Sequence, residues 1–247
     1  MILRQFLHTD PVIAASYLVG CGGKSACVVI DPVDAPERYI DAAEQLGMAI
    51  RYVVDTHVHA DHLSTGAALA ASVDAPYLLH ESVRAEFAFD PVADGTQVQV
   101  GNVQLEVLHL PGHTPEHIGL LVTDRTRGSE PWLVFTGHTL MVGDMGRTEL
   151  ASSAEDGARA LFKSAQRLKA LPDHIAILPG AFAGSVCGRA LSGTPMSTIG
   201  FERRFNTSFA IDNEAAFVAA MVRDIPPAPP GAAATRVANL RGSLANA

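Results

Sequence analysis

One short segment of the sequence holds an unusual concentration of side chains that can bind a metal ion. Residues 53–66 read VVDTHVHADHLSTG and place His57, His59, Asp61 and His62 within six positions. Imidazole nitrogens and carboxylate oxygens are common protein ligands of zinc and iron. The apolar residues before His57 indicate the end of a β-strand, where residues two apart point the same way, so His57 and His59 can face one ion. A solvated polar loop would explain a single histidine, whereas the whole pattern predicts a metal centre.

Two further features add donors to this centre. Asp61 and His62 stand at the turn from the strand into a helix, where the chain reverses and can direct an oxygen and a nitrogen to the same point. Further along, LPGHTPEH places His113 in a turn rich in Pro and Gly, directly after the strand-like LEVLHL. A rigid turn that presents an imidazole is what another ligand requires. We therefore expect His113 to join the first segment at one ion.

The segments around these residues alternate between strand and helix patterns. Strand-like runs dominate as far as about residue 140, and TQVQVGNVQLEVLHL is typical of a β-hairpin. Helical spacing predicts helices in APERYIDAAEQLGM, in LSTGAALAASV, over residues 153–170 with Ser153 as N-cap, and over 213–223. Residues 1–247 are expected to form a single domain, with an extended Pro-rich C-terminal tail from about residue 225.

Composition limits the partners of this chain. Its formal net charge is −8, and it has no cluster of the Lys and Arg residues on which nucleic-acid binding relies, so we expect a small-molecule substrate and no nucleic acid. The N-terminus lacks the apolar core of a signal peptide, and no apolar run is long enough to cross a membrane, so we expect a cytoplasmic protein. The cysteines match no zinc or redox motif and are expected as reduced thiols. A homodimer is one alternative for the oligomeric state.

Three motifs resemble the metallo-β-lactamase superfamily: HxHxDH at residues 57–62, the PGHTP turn around His113, and FTGHTL, which contains His138. Within the superfamily the chain is most similar to the glyoxalase II and persulfide dioxygenase branch, because GHTPEH, GRTEL and AGSVCGRALSGTPMSTIGFERRFN look like persulfide dioxygenase sequences. The resemblance implies a metal-dependent enzyme with an α/β fold. That fold is the αββα sandwich, in which two mixed β-sheets are flanked by helices and the metal lies at the edge of the two sheets.

Two positions depart from the family pattern. The family has an aspartate ligand where this chain has His138, and a last histidine where it has Ala181. The resemblance assigns that aspartate to a single iron in the dioxygenases and to a bridge between two metals in the hydrolases. Without the bridge and the last histidine, a second ion would keep only Asp61 and His62. We therefore expect one divalent metal ion, iron(II) or zinc(II).

The replacement at position 138 leaves the choice of metal open. The metal position formed by His57, His59 and His113 stays intact, while His138 could add a nitrogen ligand, orient another ligand, or only line the site. A neutral imidazole in place of a carboxylate removes one negative charge, which favours zinc and hydrolysis. A site of three nitrogens is nevertheless compatible with iron, since unrelated cupin-type thiol dioxygenases use three histidines.

Three functional hypotheses follow. In the first, the protein resembles persulfide dioxygenases and oxidises glutathione persulfide or a similar thiol at a mononuclear iron. The iron would be held by His57, His113 and His138 and supported by His59, Asp61 and His62. In the second, the protein is a mononuclear zinc hydrolase of glyoxalase II type, and Asp61 orients or deprotonates the water that attacks a thioester, ester or lactone. In the third, it is a degenerate homologue without turnover.

Catalytic roles are expected at Asp61, His138 and Arg147. Arg147 lies in GRTEL, and in the similar dioxygenase families this arginine helps to hold the carboxylate of the thiol cosubstrate. The alternative is a surface arginine paired with Glu149. Cys187, in GSVCGR, has no neighbouring base in the sequence and is more typical of a packed thiol than of a nucleophile.

Overall fold

The structure is a computed structural model that describes residues 1–223, 225 and 227–242. Within these residues, two six-stranded β-sheets face each other. The strands of the first sheet lie side by side in chain order: β1 (Ile2–His8), β2 (Ala14–Cys21), β3 (Ala26–Ile30), β4 (Ala49–Val54), β5 (Tyr77–His80) and β6 (Asp90–Val92). The first three pair antiparallel, and β3 to β6 pair parallel, so the sheet is mixed.

The second sheet contains the remaining strands, which also lie side by side in chain order. They are β7 (Gln97–Val100), β8 (Val103–His109), β9 (Ile118–Asp124), β10 (Leu133–Gly137), β11 (Ala176–Pro179) and β12 (Ser197–Thr198). β10 and β11 pair parallel and the other neighbours pair antiparallel. The hairpin predicted in TQVQVGNVQLEVLHL is confirmed as β7 and β8.

Helices cover the outer faces of the two sheets. They are α1 (Pro36–Gln45), α2 (Gly66–Ser72), α3 (Ala154–Lys169), α4 (Ile199–Phe205), α5 (Glu214–Val222) and α6 (Ala232–Arg241). The four helices predicted from the sequence are confirmed as α1, α2, α3 and α5. Ser153 caps α3 as expected, because its hydroxyl oxygen accepts a hydrogen bond from the backbone N–H of Asp156 at 3.1 Å.

Apolar packing explains why the layers stack in this order. The inner faces of both sheets share one core that includes Tyr17, Leu105 and Phe135. A second cluster, with Leu161 and Phe217, joins α3 and α5 to the outer face of the second sheet. A third packs α1 and α2 against the first sheet. The predicted αββα sandwich of two mixed sheets flanked by helices is therefore confirmed.

The C-terminal segment differs from its prediction. We expected an extended tail from about residue 225, but residues 232–241 form α6, so that expectation is wrong there. Residues 224, 226 and 243–247 of the expected tail lie outside the described part of the chain. In the described part, no helix combines the length and the apolar character that crossing a membrane requires.

Candidate metal centre

The candidate metal ligands lie on loops that leave both sheets at the same edge. His57 follows β4 of the first sheet, whereas His113 and His138 follow β8 and β10 of the second. The two edges are joined directly, since the backbone N–H of Ile118 donates to the carbonyl of Thr56 at 2.8 Å. Residues distant in sequence therefore meet where strands of the two sheets end.

Three imidazoles converge at this edge. One nitrogen from each of His57, His113 and His138 lies within 4.8 Å of the others, and all three residues are buried. His138 Nδ1 lies 3.3 Å from His113 Nε2. Two nitrogens bound at the usual 2.0–2.1 Å to one zinc or iron ion stand roughly 3.0–3.4 Å apart. The spacing of this histidine triad therefore fits a single metal ion.

Neighbouring groups fix which nitrogen two of these rings present. His113 Nδ1 lies 2.8 Å from the carbonyl oxygen of Arg147, which can only accept, so Nδ1 carries the proton and Nε2 offers its lone pair. His57 Nδ1 lies 3.0 Å from Thr56 Oγ1, whose own proton is donated to Asp31 Oδ2 at 2.9 Å. The hydroxyl oxygen therefore accepts from His57, and His57 Nε2 is left buried without a hydrogen-bond partner among the described residues. This is the arrangement in which histidines bind metal ions.

Burial keeps the triad neutral. It lowers the pKa of His113 to about 3 and the pKa of His57 well below its usual range. The pKa of His138 is also lowered, mainly by burial. An imidazole binds a metal only in its neutral form, so at neutral pH these rings are ready to act as ligands.

The other predicted ligands form a second group beside the triad. His59, Asp61 and His62 offer donor atoms within 4.8 Å of one another. Asp61 Oδ1 lies 3.2 Å from His62 Nδ1 and 3.7 Å from His59 Nδ1, and Asp61 Oδ2 has no hydrogen-bond partner among the described residues. The structure thus divides the six predicted ligands into two sets and places His138, rather than His59, with His57 and His113.

Unlike the neutral triad, the second group contains charged side chains. Burial by itself would lower the pKa of His59, but its contacts with the Asp31 and Asp61 carboxylates raise that pKa well above its usual range. His59 Nε2 lies 3.3 Å from Asp31 Oδ1. Burial by itself would raise the pKa of Asp61, but His62 and His59 hold it well below its usual range. An ionised carboxylate therefore stands next to the triad.

Ala181, where the resemblance leads us to expect a histidine, lies in apolar packing. Ala181 is 1% exposed and packs with Met141 and Cys187. Cys187 lies close to the ligand groups, because its sulfur is within 4.8 Å of a donor atom of Asp61 and of one of His138. Burial raises the pKa of this thiol well above its usual range, so the sulfur stays protonated. Its environment is that of a packed thiol.

Arg147 is buried, which differs from the surface position considered in the alternative interpretation. Its guanidinium pairs with the Glu149 carboxylate, and its Nη1 donates to the carbonyl of Val186 at 3.1 Å. The pairing with Glu149 is thus present, but inside the protein. Through its own carbonyl, Arg147 also accepts the bond from His113. Substrate binding by the guanidinium stays a prediction.

One further buried residue of the site was not among the residues predicted from the sequence. His117 stacks on His57, with ring centroids 4.9 Å apart and planes inclined by 21°. Its Nε2 accepts from the backbone N–H of His138 at 3.0 Å, and its Nδ1 lies 3.0 Å from Thr139 Oγ1. His117 therefore fixes the backbone of one ligand and covers the ring of another. Its place four residues after His113 in the same turn was the available signal.

Comparison with known proteins gives a consistent family. The family model of the Metallo-beta-lactamase superfamily matches residues 9–180. The persulfide dioxygenase ETHE1, mitochondrial, of Bos taurus is 27% identical over 216 residues, which cover 87% of this chain and 78% of that protein. The hydroxyacylglutathione hydrolase of Nitrosococcus oceani is 27% identical over 239 residues, which cover 86% of this chain and 87% of that protein.

Solved structures extend the similarity over nearly the whole chain. A metallo-beta-lactamase from Staphylococcus aureus subsp. aureus COL superposes with a TM-score of 0.91 at 35% identity and covers 98% of this chain and 72% of its own. ETHE1 from Myxococcus xanthus superposes with a TM-score of 0.83 at 30% identity and covers 97% of this chain and 98% of its own. Related proteins therefore share the fold over nearly the whole length of this chain.

Proposed function

The chain belongs to the metallo-β-lactamase superfamily, and on this premise we propose that it is a persulfide dioxygenase-like enzyme with one iron(II) ion. Its substrate is glutathione persulfide or a similar small thiol persulfide. The balanced reaction is RSSH + O₂ + H₂O → RSH + HSO₃⁻ + H⁺, in which the S–S bond breaks, the outer sulfur is oxidised and O₂ is reduced. The observation that carries the proposal is the single set of three neutral nitrogens formed by His57, His113 and His138.

The departures from the family pattern at positions 138 and 181 favour one ion over two. The hydrolase branch is expected to bridge two metals with a carboxylate, and this chain has His138 at that position and Ala181 at the position of the last histidine. The triad fits one ion by its spacing, by its neutral charge and by the unpartnered Nε2 of His57. Bound iron(II) would supply the redox chemistry by which O₂ reacts with a sulfur compound.

The protein groups around the triad have separate roles in this proposal. Thr56 and the Arg147 carbonyl orient the two rings that they contact, and His117 holds the backbone of His138. Asp61 orients the persulfide or the water consumed by accepting a hydrogen bond, because it is ionised and its Oδ2 has no hydrogen-bond partner in the described part of the chain.

Metal analysis combined with oxygen uptake tests this proposal. We expect protein purified without oxygen to hold one iron, to consume O₂ only when a persulfide is added, and to release sulfite. His57→Ala should abolish both iron and uptake, whereas His174→Ala, at an exposed histidine, should change neither. Full iron occupancy without persulfide-dependent uptake would refute the dioxygenase function.

A zinc hydrolase is the second candidate, and the state of Asp61 favours it. An ionised carboxylate beside a three-nitrogen metal site can orient and deprotonate a water molecule for attack on a carbonyl. With zinc in place of iron, the protein would then hydrolyse a thioester, ester or lactone. Asp61→Asn should lower that turnover sharply at unchanged zinc content, and an unchanged rate would exclude this role.

A further inference from the structure

The C-terminal helix contacts the segment that carries the HxHxDH motif through one side-chain amide. Asn239 Nδ2 donates to the carbonyl of His59 at 2.8 Å and to the carbonyl of His62 at 2.9 Å. Its Oδ1 accepts from the backbone N–H of Ser64 at 2.9 Å. One residue of α6 thus satisfies three backbone groups of a loop without regular secondary structure, more than 170 residues away in the chain.

A second residue of α6 connects the two histidine-bearing loops. The Arg236 guanidinium forms a fork with the Glu116 carboxylate, with Nη1–Oε1 and Nη2–Oε2 distances of 2.9 and 3.0 Å. Nη1 also donates to the carbonyl of Val58 at 2.8 Å, and Glu116 Oε1 accepts from the Val58 backbone N–H at 3.1 Å. Val58 adjoins His57, and Glu116 lies in the turn of His113. Such a bidentate pair fixes geometry more firmly than a single bond.

The helix depends on these polar contacts more than on apolar burial. Within the described part of α6, only Ala232 is buried. Leu240 packs partly against the cluster under the first sheet, and its carbonyl accepts from the backbone N–H of Glu86 at 2.7 Å. The positions of α6 and of the histidine loops are therefore coupled, because each supplies hydrogen-bond partners to the other.

We propose that Arg236 and Asn239 are positioning residues that hold the loops of His57 and His113 in the geometry required for metal binding. This inference rests on the proposed metal site but not on the reaction that it catalyses. Loops that are ordered before the ion arrives do not have to be ordered by the ion, so affinity is higher. Coupling is reciprocal, so the bound metal in turn strengthens the docking of α6.

Metal affinity measured on the apoprotein tests the role of Asn239. Zinc and cobalt(II) dissociation constants are obtained by competition with a chelator, and the melting temperature of each apoprotein is measured in parallel. We expect Asn239→Ala to weaken affinity about tenfold, as removal of groups that orient metal ligands does. Asn239→Asp should weaken it at least as much, since a carboxylate would face two carbonyl oxygens. Arg236→Lys should show a smaller loss. The ammonium keeps the positive charge opposite Glu116, but it cannot reproduce the fork.

The matched control is Asn213→Ala. Asn213 caps α5 by accepting from the Ala216 backbone N–H at 2.9 Å, so its removal costs stability far from the histidine loops. We expect a lower melting temperature and unchanged metal affinity. If the Asn239 variants behaved like this control, the positioning role would be overturned. Failure of the proposed oxygen chemistry would be distinguishable, since the wild type would then bind iron tightly without persulfide-dependent uptake.

A measurement on the unaltered protein keeps the inference testable if the variants do not fold. Hydrogen exchange is compared between the apoprotein and the zinc-loaded protein. We expect metal to slow exchange in residues 232–241 while leaving residues 214–222 of α5 unchanged. Equal exchange of the C-terminal helix in both forms would overturn the coupling.

Discussion

The substitution Thr56→Val tests whether a hydroxyl sets the metal-binding form of His57. Valine has nearly the shape of threonine, so the change removes two hydrogen bonds without opening a cavity. One bond connects Thr56 Oγ1 to His57 Nδ1 at 3.0 Å and the other connects it to Asp31 Oδ2 at 2.9 Å. Without the acceptor, the proton of His57 is no longer held on Nδ1. Part of the population then carries it on Nε2, which cannot bind a metal.

The expected losses follow from these two bonds. The net worth of an ordinary hydrogen bond is about 0.5–1.5 kcal/mol, and loss of a group that orients a metal ligand weakens affinity roughly 10- to 100-fold. Because His57 is buried, we expect about a tenfold loss of affinity, or about 1.4 kcal/mol. The unpaired Asp31 oxygen costs about 1–3 kcal/mol of folding free energy, which lowers the melting temperature of a chain of this length by roughly 2–12 °C.

Chelator competition and thermal unfolding of the apoprotein measure the two effects separately. Thr123→Val is the matched control, because Thr123 is also buried but lies near the far end of β9, about 20 Å along the strand from the histidines. It should leave metal affinity unchanged. If Thr56→Val lowered the melting temperature but kept the wild-type affinity, the hydroxyl would serve only the fold. The proposed control of the His57 tautomer by Thr56 would then be refuted.

Three further expectations concern the ligand set, a helix cap and the thiols. His113→Ala should lower metal affinity by more than 100-fold and leave the sandwich folded, as judged by circular dichroism; retained stoichiometric metal would exclude His113 as a ligand. Ser153→Ala should destabilise the protein by about 1 kcal/mol without changing metal affinity, and an unchanged melting temperature would contradict the N-cap assignment. Burial raises the pKa of Cys27 to about 12 and that of Cys187 well above its usual range, so thiol reagents at pH 8 should label both only after unfolding, and rapid labelling of the native protein would contradict their burial.

The sequence was sufficient where the information is local. The hydrophobic period of 154–169 and the hydroxyl of Ser153 define α3, because an amphipathic face and a cap are properties of neighbouring residues. The two runs around Gly101 define a hairpin for the same reason. α6 could not be predicted in this way, since its apolar positions form no stripe and its polar partners lie in loops more than 100 residues away.

The candidate site shows the same limit. The identity of the donors is visible in the sequence because histidines and aspartates are concentrated in motifs. Their grouping is not visible, because it depends on where two different sheets end. Strand periodicity predicts His59 beside His57, and their ring centroids are 4.2 Å apart, but the nitrogens of His59 face the carboxylates of Asp31 and Asp61. His138, which comes from the second sheet, supplies the third nitrogen beside those of His57 and His113.

The position of Asp61 beside the triad affects which metal the site favours. From the sequence, a histidine at position 138 removes a negative charge from the ligand set and so favours zinc. In the structure, the ionised carboxylate of Asp61 has an oxygen within 4.8 Å of a ring nitrogen of His138. Charges this close in a buried site interact strongly even without direct coordination. Asp61 therefore keeps one negative charge beside the ligand set, although the carboxylate expected at position 138 is absent. Charge balance alone does not disfavour iron, and the three-nitrogen set remains compatible with oxidation of a sulfur substrate.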